Sequence, residues 1–279
     1  MQLLDPAHWI SAAPMAAALL AVACATAAGQ SPAPTPKAES PAKAPPASVD
    51  LRPRLAQWDL APRRQGGRGT CSVFTVTGAL EYALAAKEGH GTRLSVEFLN
   101  WAAHTAVGRK EDGGFFSELW KGFEAYGICP EPDQPYASHF DVALQPSPEA
   151  LRAAKERLSA GLALHWVKEW DVHTGLTADQ LKEIKNTLAG SWPVCGGFRW
   201  PKRAVWHDHV LQMCGPEDVF DGHSVLLVGY RDDRAEPGGG VFLIRNSGGD
   251  GSDGYLPYAY VAAYMNDACW VSGRADGSR

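Results

Sequence analysis

The chain has 279 residues and a formal net charge of −5, with no basic patch or basic helix, so nothing in it calls for a nucleic-acid partner. No internal repeat is present, which excludes a solenoid or blade array. The length after the first 48 residues suffices for one two-lobed domain or two small ones.

Residues 10–36 carry no charge, and within them residues 15–28 form a short, apolar, alanine-rich run. Residues 1–28 read as an export signal, with Ala25-Thr26-Ala27 as the cleavage site, although no Lys or Arg precedes the apolar core. That core is too brief for a membrane span. Lipid attachment at Cys24 is the rival fate, on the loose lipobox Ala21-Val22-Ala23. Residues 29–48 are rich in proline and alanine and hold no large apolar side chain, so they predict an extended tether. The folded domain is expected over 49–279.

Helical signals dominate the first half of that domain. Val73, Thr77, Leu80 and Leu84 recur at helical spacing after Cys71, and Gly89 supplies a stop. Ser95 is a cap for a second helix through Phe98, Leu99 and Ala102. Residues 115–126 predict a third, ended by Gly127, and Ser147-Pro148 open a fourth that ends near Gly161. Thr177 to Gln180 form a capping box for a fifth, stopped at Gly190. Strands are expected at 162–170, 192–200, 223–230, 241–246 and 255–261. Helices first and strands later predict an α+β fold with segregated lobes and a cleft between them.

Cys71 stands where a glycine-rich turn becomes a helix, with Gln65 six residues before it. Unpaired N–H groups and a partial positive charge at a helix start favour a thiolate, so the address suits a nucleophile. Such a thiol needs a base and a group to aim the base. Among nine histidines, His223 opens the buried run HSVLLVGY, and Asn246 closes the strand VFLIRN. Singly, a strand histidine is usually structural, and an asparagine before Ser-Gly-Gly is usually a turn residue. In combination, Gln65, Cys71, His223 and Asn246 follow the order and spacing of the papain-like cysteine peptidases, which the chain resembles over most of 49–273. LSVEFLNW, DGGFF, YGICPEPDQPY and SWPVCGGF are similar to further motifs of that family, in the same order.

The resemblance implies a helical N-terminal lobe, a β-barrel-like C-terminal lobe and an active-site cleft between them. It further implies acyl transfer to Cys71, with His223 as base and acid and the two resting as a thiolate–imidazolium pair. Asn246 would orient the ring, Gln65 and the Cys71 N–H would hold the oxyanion, and Gly113 and Gly114 would line the cleft for a peptide substrate. It calls for no cofactor and no metal, and it pairs Cys214 with Cys269, leaving Cys129 and Cys195 as a weaker second bridge. Four positions depart from the family. Ser72 and Gly248 replace tryptophans, the latter covering the asparagine–histidine bond, Arg68 replaces a bridging cysteine, and Gly222 precedes the histidine. A peptide-binding protein that has lost turnover is the alternative these departures raise. A metal site from His207, His209, Cys214 and His223, and a transglutaminase-like enzyme, are weaker rivals.

Overall fold

The computed structural model describes residues 45–158 and 160–273; the export signal, Cys24 and residues 29–44 of the tether lie outside the described residues. From the N-terminus, β1 (Ser48–Asp50) and α1 (Arg52–Gln57) lead into α2 (Cys71–Glu88), α3 (Val96–Val107), α4 (Phe116–Tyr126) and α5 (Pro148–Leu158). Next come β2 (Leu162–Lys168), α6 (Ala178–Ala189), β3 (Val194–Pro201), β4 (Trp206–His207) and β5 (Val210–Leu211). The chain closes with β6 (Val219–Asp232), β7 (Gly240–Arg245), β8 (Asp253–Pro257), α7 (Tyr258–Tyr264) and β9 (Met265–Gly273).

Local signals set the helix limits. Ser95 Oγ accepts from the Phe98 N–H at 2.9 Å, which caps α3. Thr177 and Gln180 exchange reciprocal bonds of 2.9 and 3.2 Å at the start of α6, the capping box expected there. One strand expectation fails in part. Residues 255–261 carry the aromatic and branched side chains of a strand, yet the strand stops at Pro257 and α7 begins at Tyr258. Proline ends the ladder and starts the helix, and the helix buries Tyr260, Val261 and Tyr264 on one face.

Among the described residues nine strands join in a single sheet of order β2-β9-β3-β6-β7-β8-β5-β4, with β1 paired to β6. This sheet is the strand-rich lobe, so helices and sheet are segregated as an α+β fold requires. The chain is tied down just before β1: Pro46 O accepts from the Tyr230 hydroxyl at 2.7 Å, and Ala47 O accepts from Asp232 N–H at 2.8 Å. α2 packs against α3 and α4 on one side and β3, β6 and β9 on the other. It is therefore buried on nearly every face, as its all-round apolar and small residues allow.

The disulfide expectations are overturned, since all five described cysteines are free. Register is the reason. Cys269 on β9 lies directly opposite Cys195 on β3, not beside Cys214. Cys129 belongs to a separate small core with Phe98, Ala102, Ala150 and Ala154, apart from Cys195. Burial pushes the Cys269 thiol far above its ordinary range, and that of Cys129 up to about 12, which keeps both neutral. N-ethylmaleimide applied to the native protein should modify Cys71 and Cys214 and spare Cys129, Cys195 and Cys269. Peptide mapping that recovers a Cys214–Cys269 disulfide would contradict this arrangement.

Candidate active site

α2 starts without a side-chain cap. Thr70 occupies the cap position, but its hydroxyl lies 2.6 Å from the Tyr136 hydroxyl. Tyr136 gives its own proton to Gln65 O at 2.9 Å, so Thr70 is the donor to Tyr136. The first-turn N–H groups are thereby left to the sulfur, and those of Cys71 and Ser72 favour its ionised form. The Cys71 thiol faces the Gly222 carbonyl at 3.9 Å and also meets Ser224. Those two residues flank His223 in β6.

A bulge produces that approach. On β3, Phe198 pairs with His223 and Arg199 with Asp221, so Gly222 is the extra residue of β6. Its φ of +116° suits only glycine, which gives the departure at this position a conformational reason.

His223 Nε2 lies 2.9 Å from Asn246 Oδ1, and the Gly248 N–H donates to the same oxygen at 2.9 Å. An oxygen that receives two donors is the amide carbonyl, so Nε2 carries the imidazole proton. Nδ1 then holds the lone pair, which is what a base needs. Trp200 on β3 packs edge-on against the His223 ring, with centroids 4.5 Å apart, and is itself buried. Sequence reading missed Trp200 because nothing in its neighbourhood marks it off from the core aromatics of β3.

Burial pushes the His223 pKa down against the raising effect of the Asn246 bond. It pushes the Cys71 thiol up against its N–H and Ser224 partners. Each direction is that of the group taken alone: burial opposes a lone charge on the sulfur or on the ring. Desolvation outweighs the helix terminus.

Gln65 bridges the nucleophile turn to the end of the asparagine strand. Its Nε2 donates to Arg68 O at 2.9 Å, and its Oε1 accepts from Ser247 Oγ at 2.8 Å. The first contact uses only one of two N–H bonds. Gly113 sits against the same turn, since a Cβ there would fall 2.2 Å from Gly69 O. Its N–H donates to Asn100 Oδ1 at 3.1 Å, and its carbonyl lies 3.0 Å from His104 Nε2. Gly114 follows beside Glu118 at the start of α4.

A family model for papain family cysteine protease matches residues 45–275. The chain belongs to the papain family of cysteine proteases. It is 28% identical to cathepsin K of Gallus gallus over 76% of this chain and 58% of that protein. It is also 28% identical to the thiol protease aleurain of Arabidopsis thaliana, over 69% of this chain and 50% of that one. The chain thus spans between half and three-fifths of the length of these relatives. Xylellain, a cysteine protease from Xylella fastidiosa, superposes with a TM-score of 0.65 at 21% identity, over 85% of this chain and 91% of that one. Digestive procathepsin L 3 of the Tenebrio molitor larval midgut gives 0.61 at 22% identity, over 84% and 72%.

Within this papain-family chain the residues of the rival metal reading do not gather. His207, at the end of β4, lies exposed beside Asp208, and no metal-binding group of three His, Cys, Asp or Glu forms among the described residues. Gly248 lies over the Asn246–His223 bond, since a Cβ on it would sit 3.2 Å from both Asn246 Oδ1 and His223 Cε1. Beyond it opens a cavity of about 580 Å³ walled by Trp206, Asp208 and Asp250. Gly248→Trp therefore finds room for its ring but crowds the pair at its Cβ. The expected result is a loss of about 1–3 kcal/mol of stability and a lower turnover number. Unchanged melting temperature and turnover would show that position 248 does not press on the pair.

Proposed function

We propose that this chain is an exported cysteine peptidase that hydrolyses peptide bonds through a thioester on Cys71. The observation that carries the reading is the His223–Asn246 hydrogen bond, with the Cys71 thiol beside the carbonyl of Gly222. His223 Nδ1 takes the thiol proton as sulfur attacks the carbonyl carbon of the substrate. The carbonyl electrons move to oxygen, where the Cys71 N–H and the second Gln65 N–H receive them, each contributing about 2.7–4 kcal/mol in comparable sites. Collapse of this intermediate expels the amine, which takes the proton from His223. Water, deprotonated by His223, then attacks the thioester and releases the acid.

Either resting form of the pair suits this sequence, because thiol–imidazole and thiolate–imidazolium hold the same single mobile proton. Asn246 accepts from Nε2 throughout and keeps Nδ1 turned to its task. Gly113 uses its own polar groups internally, so pairing with an extended substrate falls to Gly114. Residues 1–28 would direct export, followed by release or by lipid attachment at Cys24, and residues 29–48 would act as a tether.

Cys71→Ala should abolish both peptide hydrolysis and labelling by an epoxide inhibitor while the melting temperature holds. Residual cleavage would place the nucleophile elsewhere.

The pKa directions also fix a pH profile. Protonating His223 removes the base, so the rate falls with decreasing pH through a value below the ordinary 6.5. Loss of the Cys71 proton in the free enzyme removes the reactive pair, so the rate falls again with increasing pH through a value above 9.0. kcat/KM should trace a bell with those limits. An acid limb above 6.5 would contradict the burial of His223.

A further inference from the structure

Arg68 is the most heavily bonded side chain beside the nucleophile turn, and the mechanism above makes no use of it. Its guanidinium grips Asp112 through Nε and Nη2, both at 2.9 Å, and Glu97 at 2.5 and 3.2 Å. A third acceptor is Ala137 O at 2.9 Å, and the plane lies 4.6 Å from the Tyr136 ring centre. The Arg68 and Glu97 side chains are 4% and 3% exposed, so water does little to screen this cluster. From there the bonds lead on to the cleft. Asp112 Oδ1 accepts from Asn100 Nδ2 at 2.9 Å, and Asn100 Oδ1 in turn accepts from the Gly113 N–H at 3.1 Å.

One residue before the glycine pair is thus clamped to the turn that carries Cys71, and the first glycine is held by the same relay. The Arg68 carbonyl also receives the Gln65 amide. We propose that Arg68, acting through Asp112 and Asn100, is a positioning residue that sets the peptide-binding strand at Gly113 and Gly114 against the nucleophile turn. It serves the docking of an extended peptide and takes no part in bond making or breaking. This inference rests on the reading of Cys71 as a peptide-cleaving nucleophile.

The test separates docking from chemistry. Asp112→Asn weakens the grip on Arg68, and Asn100→Ala cuts the relay while leaving every charged side chain in place. Each should raise KM for a peptide extending several residues before the scissile bond by tenfold or more. kcat should stay within twofold, as should the rate at which iodoacetamide, which uses no peptide strand, inactivates Cys71. Arg68→Lys, which keeps the charge but loses the planar fork, should behave like Asp112→Asn. An unchanged KM in Asn100→Ala would overturn the proposal, as would a parallel fall in kcat and alkylation rate. Should the charge variants fail to fold, Asn100→Ala decides alone. If the unmodified protein neither cleaves peptides nor reacts at Cys71, the peptidase reading fails; normal cleavage with unaltered KM in Asn100→Ala rejects only the clamp.

Discussion

The hydrogen bond from Thr70 to Tyr136 decides what the start of α2 can do. A threonine at a helix N-cap ordinarily turns its oxygen onto the first N–H groups and neutralises them. Here that oxygen is drawn away by a tyrosine whose own proton is committed to Gln65 O. The helix begins open, and the next residue is Cys71. Leaving those donors without a side-chain cap costs stability, which the thorough burial of α2 offsets by packing it between the helices and the sheet. Because α2 is gripped along its length, its first turn has one place to be, and that place is the bulge of β6 at Gly222.

Opposite it, burial sets the state of the base. Imidazole in this enclosure loses hydration that favours its charge, and Trp200 takes part of the space water would occupy. The same enclosure opposes a free thiolate. What each group loses alone the two can recover together, because moving one proton between them leaves the net charge of the site unchanged. Asn246 matters in this balance because its oxygen is pinned by two donors and cannot flip to offer its NH₂ to the ring. A fixed acceptor at Nε2 means a fixed lone pair at Nδ1.

Much of this was legible in the residues. The capped helices announced themselves through Ser95, Thr177 and Gln180, whose short-range bonds need no tertiary context. Cys71 and Asn246 were readable because each lies at the boundary of an element, His223 because it opens the apolar run within β6, and Gln65, in the loop before α2, only through its spacing from Cys71. α7 was not, since Tyr, Ala and Val suit strand and helix alike and only packing decides between them. The cysteine pairing failed because strand register is a long-range property: Cys195 and Cys269 face one another through two strands separated by five other strands and the helix α7 in sequence. Trp200 was invisible for a related reason. Its meeting with His223 depends on where the bulge falls, and a bulge leaves only a glycine as its trace.

Arg68 shows how a departure from a family pattern can be read physically. A cysteine at this position would tie two loops by one bond of fixed length. A guanidinium ties the same turn to several groups at once, and its planar fork constrains direction as well as distance. The cost is desolvation of three charges, lowered here because both carboxylates keep further donors, Asn100 for Asp112 and the Ala137 N–H for Glu97. Such a cluster holds only while water is excluded, so its grip depends on the packing of Tyr136 over it. Tyr136 is also the residue that takes the Thr70 hydroxyl. One aromatic ring therefore covers the ionic clamp with its face and opens the nucleophile helix with its hydroxyl, and the two halves of the cleft are set by the same side chain.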